Sequence, residues 1–312
     1  MNIFEIKQSY NNGKLLKQEF VDKMHNNHLL LNELAKYIET TEIKKIVIEN
    51  GKVFMTSDEG VVFRCNFVDK ANVPLVNLSF GAYEKEERLC VIKLIENGDI
   101  VFDIGANYGW YSLNIAKKYP DVKIYAFEPI KQTFDIFSEN IKINDIKNIS
   151  VFNVGIGKEN TVAQFNFNKD QSGATSMVNI LERDNVEQIK CPIRTLDSFV
   201  QEEKVDRVDF IKCDIEGAEL WALQGGKNVL EQYRPKLLIE MLRKWSAKFG
   251  YHPNDIIHFM NNLGYLCFEI NNGNLCRFDN MTDETISTNF LFLHSEKHAS
   301  IIEFIPPPPI TD

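Results

Sequence analysis

"VFDIGANYGWYS", residues 101–112, sets the fold and raises the question of the ligand. An apolar pair runs into Asp103, glycines follow at 105 and 109, and bulky aromatics come next. The pattern predicts a strand that turns tightly into a helix around a nucleotide-like ligand. A dinucleotide site requires G-x-G-x-x-G. Anchored on Gly105, this chain has Asn107 at the second glycine position and Trp110 at the third. The third glycine normally lets helix and strand pack closely, so Trp110 disfavours an NAD-dependent oxidoreductase. D-x-G-x-N-x-G instead suits a ligand with an amino-acid end and a nucleoside end. Asp103, at the strand end, can receive an ammonium group, and Gly105 and Gly109 permit tight turning beside it. Glu128 closes the next strand in "YAFEP", 25 residues beyond Asp103. An acid near that spacing accepts hydrogen bonds from ribose hydroxyls. Together these features describe S-adenosylmethionine.

Outward from this turn, strands and helices alternate. Strands are predicted at 100–104, 123–128, 149–154, 208–213, 236–241, 265–270 and 288–294, and helices at 109–118, 132–144, 217–232 and 253–263. Alternating βα units imply a parallel sheet covered on both faces. The last two strands have no helix between them, and "YLCFEINNGNLCRF" with "NFLFLH" suits an antiparallel edge. Residues 157–200 read as an irregular segment with two short strand-like runs around the polar loop "KDQSGATSM". Such a loop inside an α/β core is more often functional than idle. Its hydroxyls, on Ser172, Thr175 and Ser176, suit a closure over the ligand. Asn153 to Ile156 follow strand three, where adenine would lie.

Ahead of the core, apolar residues recur with helical period over 14–40, and "KKIVIENGKVFMTSDEGVVFRCNF" reads as a strand–turn–strand–turn–strand meander. Residues 1–80 therefore form an extension with a lid, acceptor or dimer role. Residues 81–300 form the main domain, and 301–312 a Pro-rich tail extended at best.

The 312 residues carry a net charge of −9 and no concentrated basic stripe, which argues against a nucleic-acid partner. Six scattered cysteines form no metal-spaced cluster and read as reduced thiols. There is no signal-like start and no run of about 18 apolar residues, so the expectation is a cytoplasmic protein without a membrane span. The oligomeric state is open, a homo-oligomer included.

"DFIKCDIEGAEL", residues 209–220, delivers three acids in six residues: Asp214, Glu216 and Glu219. One helix cap needs a single acceptor, so the set is read as facing the ligand crevice, with Gly217 starting the next helix. Glu240 ends a strand in "LLIEM" at the same sheet edge. His252 follows in the next loop and is a candidate base, with Trp245 and Tyr251 candidates for stacking on a sugar ring; His258 reads as structural. Asp214 and Glu240 alone make a thin metal site, and no metal is assigned.

In that order and spacing, "NGDIVFDIGANYGWYSLNIA", "AFEP", "DFIKCDIEGAEL" and "PKLLIEM", led in by "LSFGAYEKEERL", resemble the FkbM-type S-adenosylmethionine-dependent methyltransferases over residues 80–270. The resemblance implies a class I methyltransferase fold, α/β and Rossmann-like, with a seven-stranded sheet of order 3-2-1-4-5-7-6. It implies O-methylation of a hydroxyl on a sugar, glycan or complex metabolite. It also implies that Asp103, Gly105, Ala106, Asn107, Gly109 and Glu128 bind the cofactor, with Asp214 and Glu216 at its edge, and that Asp214, Glu216 and Glu240 line the reaction site. The reading from another class is a nucleotide-binding module without catalysis; it need not keep all three of those carboxylates. Calorimetry is expected to show saturable binding of S-adenosylmethionine and none of NAD. Tight NAD binding with no response to S-adenosylmethionine would reverse the assignment.

Overall fold

The structure is a computed structural model that describes residues 1–184 and 186–305. It begins with two helices, α1 (Ile3–Asn11) and α2 (Lys17–Tyr37). α1 was not anticipated from periodicity. It is started by a capping box, in which Asn2 accepts from the Glu5 amide and Glu5 from the Asn2 amide, both at 2.9 Å. The meander follows: β1 (Ile43–Glu49), β2 (Lys52–Ser57) and β3 (Val62–Arg64) pair antiparallel in that order. Asn50 and Gly51 both take positive φ, the backbone a two-residue hairpin turn demands. Two helices then lead to the core, α3 (Val73–Phe80) and α4 (Lys85–Leu94).

The core alternates β4 (Ile100–Ile104), α5 (Trp110–Lys118), β5 (Lys123–Phe127), α6 (Lys131–Ile143) and β6 (Ile149–Phe152). An insertion comes next, with β7 (Gly155–Ile156), β8 (Thr161–Phe167), β9 (Glu187–Arg194) and α7 (Leu196–Glu202). The second half holds β10 (Phe210–Cys213), α8 (Glu219–Gln224), α9 (Lys227–Tyr233), β11 (Lys236–Glu240), α10 (Arg243–Lys248) and α11 (Pro253–Asn262). It ends with β12 (Tyr265–Asn271), β13 (Asn274–Arg277), β14 (Asn289–His294) and α12 (Ala299–Ile302).

The central sheet runs β6-β5-β4-β10-β11-β14-β12-β13. β14 lies antiparallel between β11 and β12, and β13 folds back on β12 through Asn272 and Gly273, both at positive φ. That hairpin gives eight strands where seven were expected. Strand order reverses between β4 and β10, which opens a crevice at their carboxyl ends. Both faces are covered, so core strands read as unbroken apolar runs. Along β4, Val101 packs into the cluster that contains α5, while Phe102 and Ile104 pack into the opposite one.

Two expectations change. The helix predicted over 217–232 is broken into α8 and α9 at Gly225 and Gly226. A Cβ on Gly225 would stand 2.0 Å from the Gly157 carbonyl, and one on Gly226 2.7 Å from Leu196. The chain bends there because another segment touches its backbone. The 157–200 segment, read as irregular, holds its two strand-like runs as a paired hairpin around the polar loop, β8 against β9 from Thr161↔Ile193 to Phe167↔Glu187.

The front segment shares the core of the main sheet. Val61, Phe63 and Val73 pack in one cluster with Trp110 and Leu113. β3 presents its edge to α6, where Asn144 and Asn140 side chains accept from the Val62 and Arg64 amides at 2.8 and 2.9 Å. Buried Arg88 pairs with Glu42 at 3.0 Å and with Glu59, and its guanidinium lies 5.6 Å from the Trp110 ring. α2 is the exception, since none of its 21 residues is buried. Of the expected Pro-rich tail, residues 301 and 302 finish α12 and residues 306–312 lie outside the described residues. No helix among the described residues is long and apolar enough to cross a membrane.

Candidate active site

The β4–α5 turn is built on contacts to backbone. Gly105 has φ +79, and a Cβ there would sit 1.8 Å from the Asp214 carbonyl of the neighbouring strand end. The amides of Gly105 and Ala106 both donate to the Phe127 carbonyl, at 3.1 and 3.0 Å, fixing the turn against β5. Asn107 sits at φ 48, a left-handed conformation tolerated by asparagine better than by most residues. A cavity of about 230 Å³ opens beside this turn. Asp103, Gly105, Ala106, Asn107, Glu128, Asp214, Glu216 and Glu240 all line it. Gly109 does not. Its missing Cβ makes room for Phe137 of α6, whose ring would lie 2.1 Å away. The second glycine of the motif thus serves helix packing rather than the ligand. Trp110 is buried in the cavity wall, and its ring lies 5.1 Å from Phe63, which ties the turn to β3.

One end of the cavity offers hydrogen-bonding atoms without partners. Asp103 is 1% exposed; its Oδ2 accepts from Ser112 Oγ at 2.6 Å, while its Oδ1 has no partner. Burial pushes the Asp103 carboxyl above its ordinary pKa, with Lys212 opposing. Glu128 accepts from the amides of Ile130 and Asn107 at 2.9 and 3.0 Å. Each carboxylate oxygen has a further acceptor site. Asn107 Oδ1 and Thr175 Oγ1 are also buried and unpartnered. These atoms fit S-adenosylmethionine: Asp103 Oδ1 suits an ammonium, Glu128 suits ribose hydroxyls, and Asn107 and Thr175 supply further polar contacts. The 172–175 segment lines the cavity as a wall, and Ser176 Oγ donates to the Glu216 carbonyl at 2.8 Å.

The other end is acidic and is organised by Lys212. This residue lies next to Asp103 in the β4–β10 register and is 6% exposed. Its Nζ is 3.0 Å from Asp214 Oδ2 and 3.3 Å from the Gly105 carbonyl, and 5.5 Å from the Tyr111 ring centroid. Burial acts to lower the Lys212 pKa, but Asp214, Asp103 and Glu84 more than reverse that, so the ammonium is retained. Around it, Asp214, Glu216 and Glu240 bring carboxylate oxygens within 4.8 Å of one another. Glu216 and Glu240 are both pushed well above the usual carboxylate range, by burial first and then by the charge of Asp214. Both shifts favour the neutral carboxyl over the carboxylate. The trio also matches the hard-oxygen preference of a divalent cation in spacing and type.

The sequence reading missed Glu84, Lys212, Tyr83, Tyr111 and Asp69. Glu84 is left-handed at φ 43, accepts from Tyr111 OH at 2.8 Å, and has its pKa raised by burial and by Asp214. Nothing local in "GAYEKEERL" distinguishes it from its acidic neighbours. Lys212 had a readable signal: a lysine inside a short strand buried on both faces must find a charge partner.

Glu219 is the loop's structural acid. Its Oε1 accepts from the amides of Ile215 and Gly217 at 2.9 and 3.1 Å, and Tyr251 OH lies 2.9 Å from the Gly217 carbonyl. Gly217 sits in the turn at φ +101, and the helix starts only at Glu219. Tyr251 therefore props this loop. His252 caps α11: its Nδ1 accepts from the Asn254 amide at 3.2 Å, and the residue is exposed. Neither His252, Tyr251 nor Trp245 lines the cavity.

A family model described as methyltransferase FkbM domain matches residues 103–267, more than half of the chain. "Methyltransferase 1" of Beauveria bassiana is 28% identical over 145 residues, covering 40% of this chain and 57% of that protein. The hexuronic acid methyltransferase AglP of Haloferax volcanii is 26% identical over 147 residues, covering 45% of this chain and 57% of that protein. The chain thus spans a little over half the length of these curated relatives. The solved FkbM methyltransferase from Methylobacillus flagellatus superposes with a TM-score of 0.42 at 18% identity, over 64% of this chain and 45% of that one.

Burial raises the carboxyl groups of Glu219 and Glu128 to about 7. A folded-state pKa above the unfolded one means the fold binds the proton more tightly. The resulting stabilisation is complete below about pH 4 and is lost as pH rises through 7. Glu219→Gln, which cannot titrate there, is expected to melt with a shallower decline between about pH 5 and pH 8 than the wild type. Parallel melting profiles for the two proteins would contradict the shift.

Proposed function

The chain belongs to the FkbM methyltransferase family, with S-adenosylmethionine as its methyl donor, and from that premise we propose that it methylates a hydroxyl oxygen on a sugar or glycan-type acceptor. The observation that carries this reading is the carboxylate trio Asp214, Glu216 and Glu240, within 4.8 Å of one another and lining the same cavity as Asp103 and Glu128. The name of the Haloferax volcanii relative, a hexuronic acid methyltransferase, supports the sugar class.

Bound S-adenosylmethionine supplies a methyl group on a sulfonium, already an able leaving group. The protein's task is to hold the acceptor oxygen in line with that methyl and to accept the hydroxyl proton. Asp103, Asn107 and Glu128 fix the donor end. Asp214 is the carboxylate we assign to the acceptor's proton, because burial shifts Glu216 and Glu240 toward their neutral forms. On transfer, Asp214 would take the proton that the acceptor hydroxyl gives up. Lys212 holds that carboxylate in place.

Asp214→Ala is expected to keep the fold and to bind S-adenosylhomocysteine, while turnover falls by about 100-fold or more. Acceptors are found by screening sugar nucleotides and oligosaccharides for a mass gain of one methyl group. Full turnover in Asp214→Ala would remove it from the site. A chelator arm in the same assay reports whether a cation on the trio contributes.

Self-association fits α2. Leu30, Leu31, Leu34 and Tyr37 are exposed there, and none of the helix's residues is buried. Lys17, Lys23 and Lys36 balance Glu19, Asp22 and Glu33 on this helix, in a chain of net charge −9. Two copies can therefore meet there without the repulsion expected elsewhere. Six free cysteines suit a reducing compartment such as the cytoplasm. Sedimentation of the wild type is expected to show a dimer, and the double variant Leu30→Glu/Leu34→Glu a monomer. A wild type that stays monomeric at high concentration would count against this surface.

A further inference from the structure

We propose that Asp69, outside the family-matched region, is a positioning residue for the methyl donor: it latches the front segment over the cofactor cavity. Two segments that are not part of the strand–turn–helix core form walls of that cavity, Ala71, Val73 and Val76 from the front and Ser172, Gly173 and Thr175 from the insertion. They are joined through one carboxylate. Asp69 is 0% exposed. Its Oδ1 accepts from the amides of Ala71 and Ser172 at 2.9 and 3.1 Å. Its Oδ2 accepts from Tyr108 OH at 2.7 Å and from Ser172 Oγ at 2.5 Å. Four donors fill the acceptor capacity of a carboxylate, and all four are neutral.

The donors come from three parts of the chain. Ala71 is local, Tyr108 lies in the glycine turn beside Asn107, and Ser172 lies in the insertion. The latch is reinforced on both sides. Asn107 Nδ2 stands 3.4 Å from Ser172 Oγ, Asn66 Nδ2 lies 3.3 Å from Tyr108 OH, and the Lys70 amide donates to the Asp170 carbonyl at 2.9 Å. The strand ends of the cavity are fixed in the sheet, whereas the front and insertion walls are held to each other by side-chain and amide hydrogen bonds, and Asp69 is their fastening. Without this carboxylate, two amides and two hydroxyls lose their acceptor, and the wall closes less firmly over bound donor.

The inference rests on the cavity at Asp103 and Glu128 being the donor site, and Glu128→Gln tests that separately. Calorimetry of S-adenosylhomocysteine binding and its dissociation rate, followed by fluorescence of Trp110 in the cavity wall, are measured for the wild type, Asp69→Ala, Asp69→Asn, Tyr108→Phe and Glu128→Gln. Asp69→Ala is expected to weaken binding by about tenfold or more, a loss worth one to two hydrogen bonds, chiefly through faster dissociation. Asp69→Asn keeps the shape and can still bond both hydroxyls and amides, so it is expected to recover most of the affinity. Wild-type affinity and dissociation in Asp69→Ala, with Glu128→Gln weakened, would overturn the latch and leave the donor site standing. A lower melting temperature alone, with binding unchanged, would likewise reduce Asp69 to a structural role. Unchanged affinity in Glu128→Gln would overturn the donor site itself. If Asp69→Ala fails to fold, Tyr108→Phe decides: dissociation about threefold faster supports the latch, and an unchanged rate overturns it.

Discussion

Lys212 projects from the middle strand of the sheet into a crevice crowded with carboxylates, and the charges of the site are arranged around its ammonium. Asp103 is its neighbour across the β4–β10 register, Asp214 is its closest partner at 3.0 Å, and Glu84 raises its pKa from the approach to α4. Breaking one side of a buried ion pair costs about 3–5 kcal/mol, because the remaining charge is stranded. One ammonium cannot neutralise all the acids nearby. Glu216 and Glu240 are shifted upward, by burial first and then by the charge of Asp214. The crevice therefore divides its carboxyl groups into a member ion-paired to Lys212 and members whose neutral form is favoured. That division is what makes Asp214 distinguishable from its neighbours.

Three of the nine non-glycine residues with positive φ among the described residues stand around this crevice: Glu84, Asn107 and Glu216. Such conformations cost of order 1–3 kcal/mol each and persist only where the surroundings enforce them. All three stand at or beside the cavity, and each belongs to a different approach: the lead-in helix, the glycine turn and the loop after β10. The surrounding contacts are correspondingly dense, from the Glu128 carboxylate on the Asn107 amide to the Glu219 carboxylate on the loop that carries Glu216.

The acids that line the cavity were legible because they sit at the carboxyl ends of strands. Asp103, Glu128, Asp214 and Glu240 each follow an apolar run, and a parallel sheet gathers such ends on one edge. Gly109, Glu219 and His252 looked equivalent in sequence but went elsewhere. Gly109 yields to the Phe137 ring, Glu219 turns back onto its own loop, and His252 caps α11. In each case the decisive partner is a backbone group or a ring, and residue type and spacing do not encode which way the side chain turns.

The strand–turn–helix at 101–112, the alternation that makes a doubly covered sheet, and the acids at its edge were all readable from residue order. These are consequences of local periodicity and of glycine's conformational freedom. Chain closure was needed to make Lys212 the counter-charge, to bring Asp69 and Glu84 to the cavity, and to fasten the front segment to the core through Arg88 and Trp110. These groups lie far apart in sequence, and their meaning comes from burial. A charge taken out of water must find its partners among whatever groups the fold places beside it, and that placement exists only once the chain is closed.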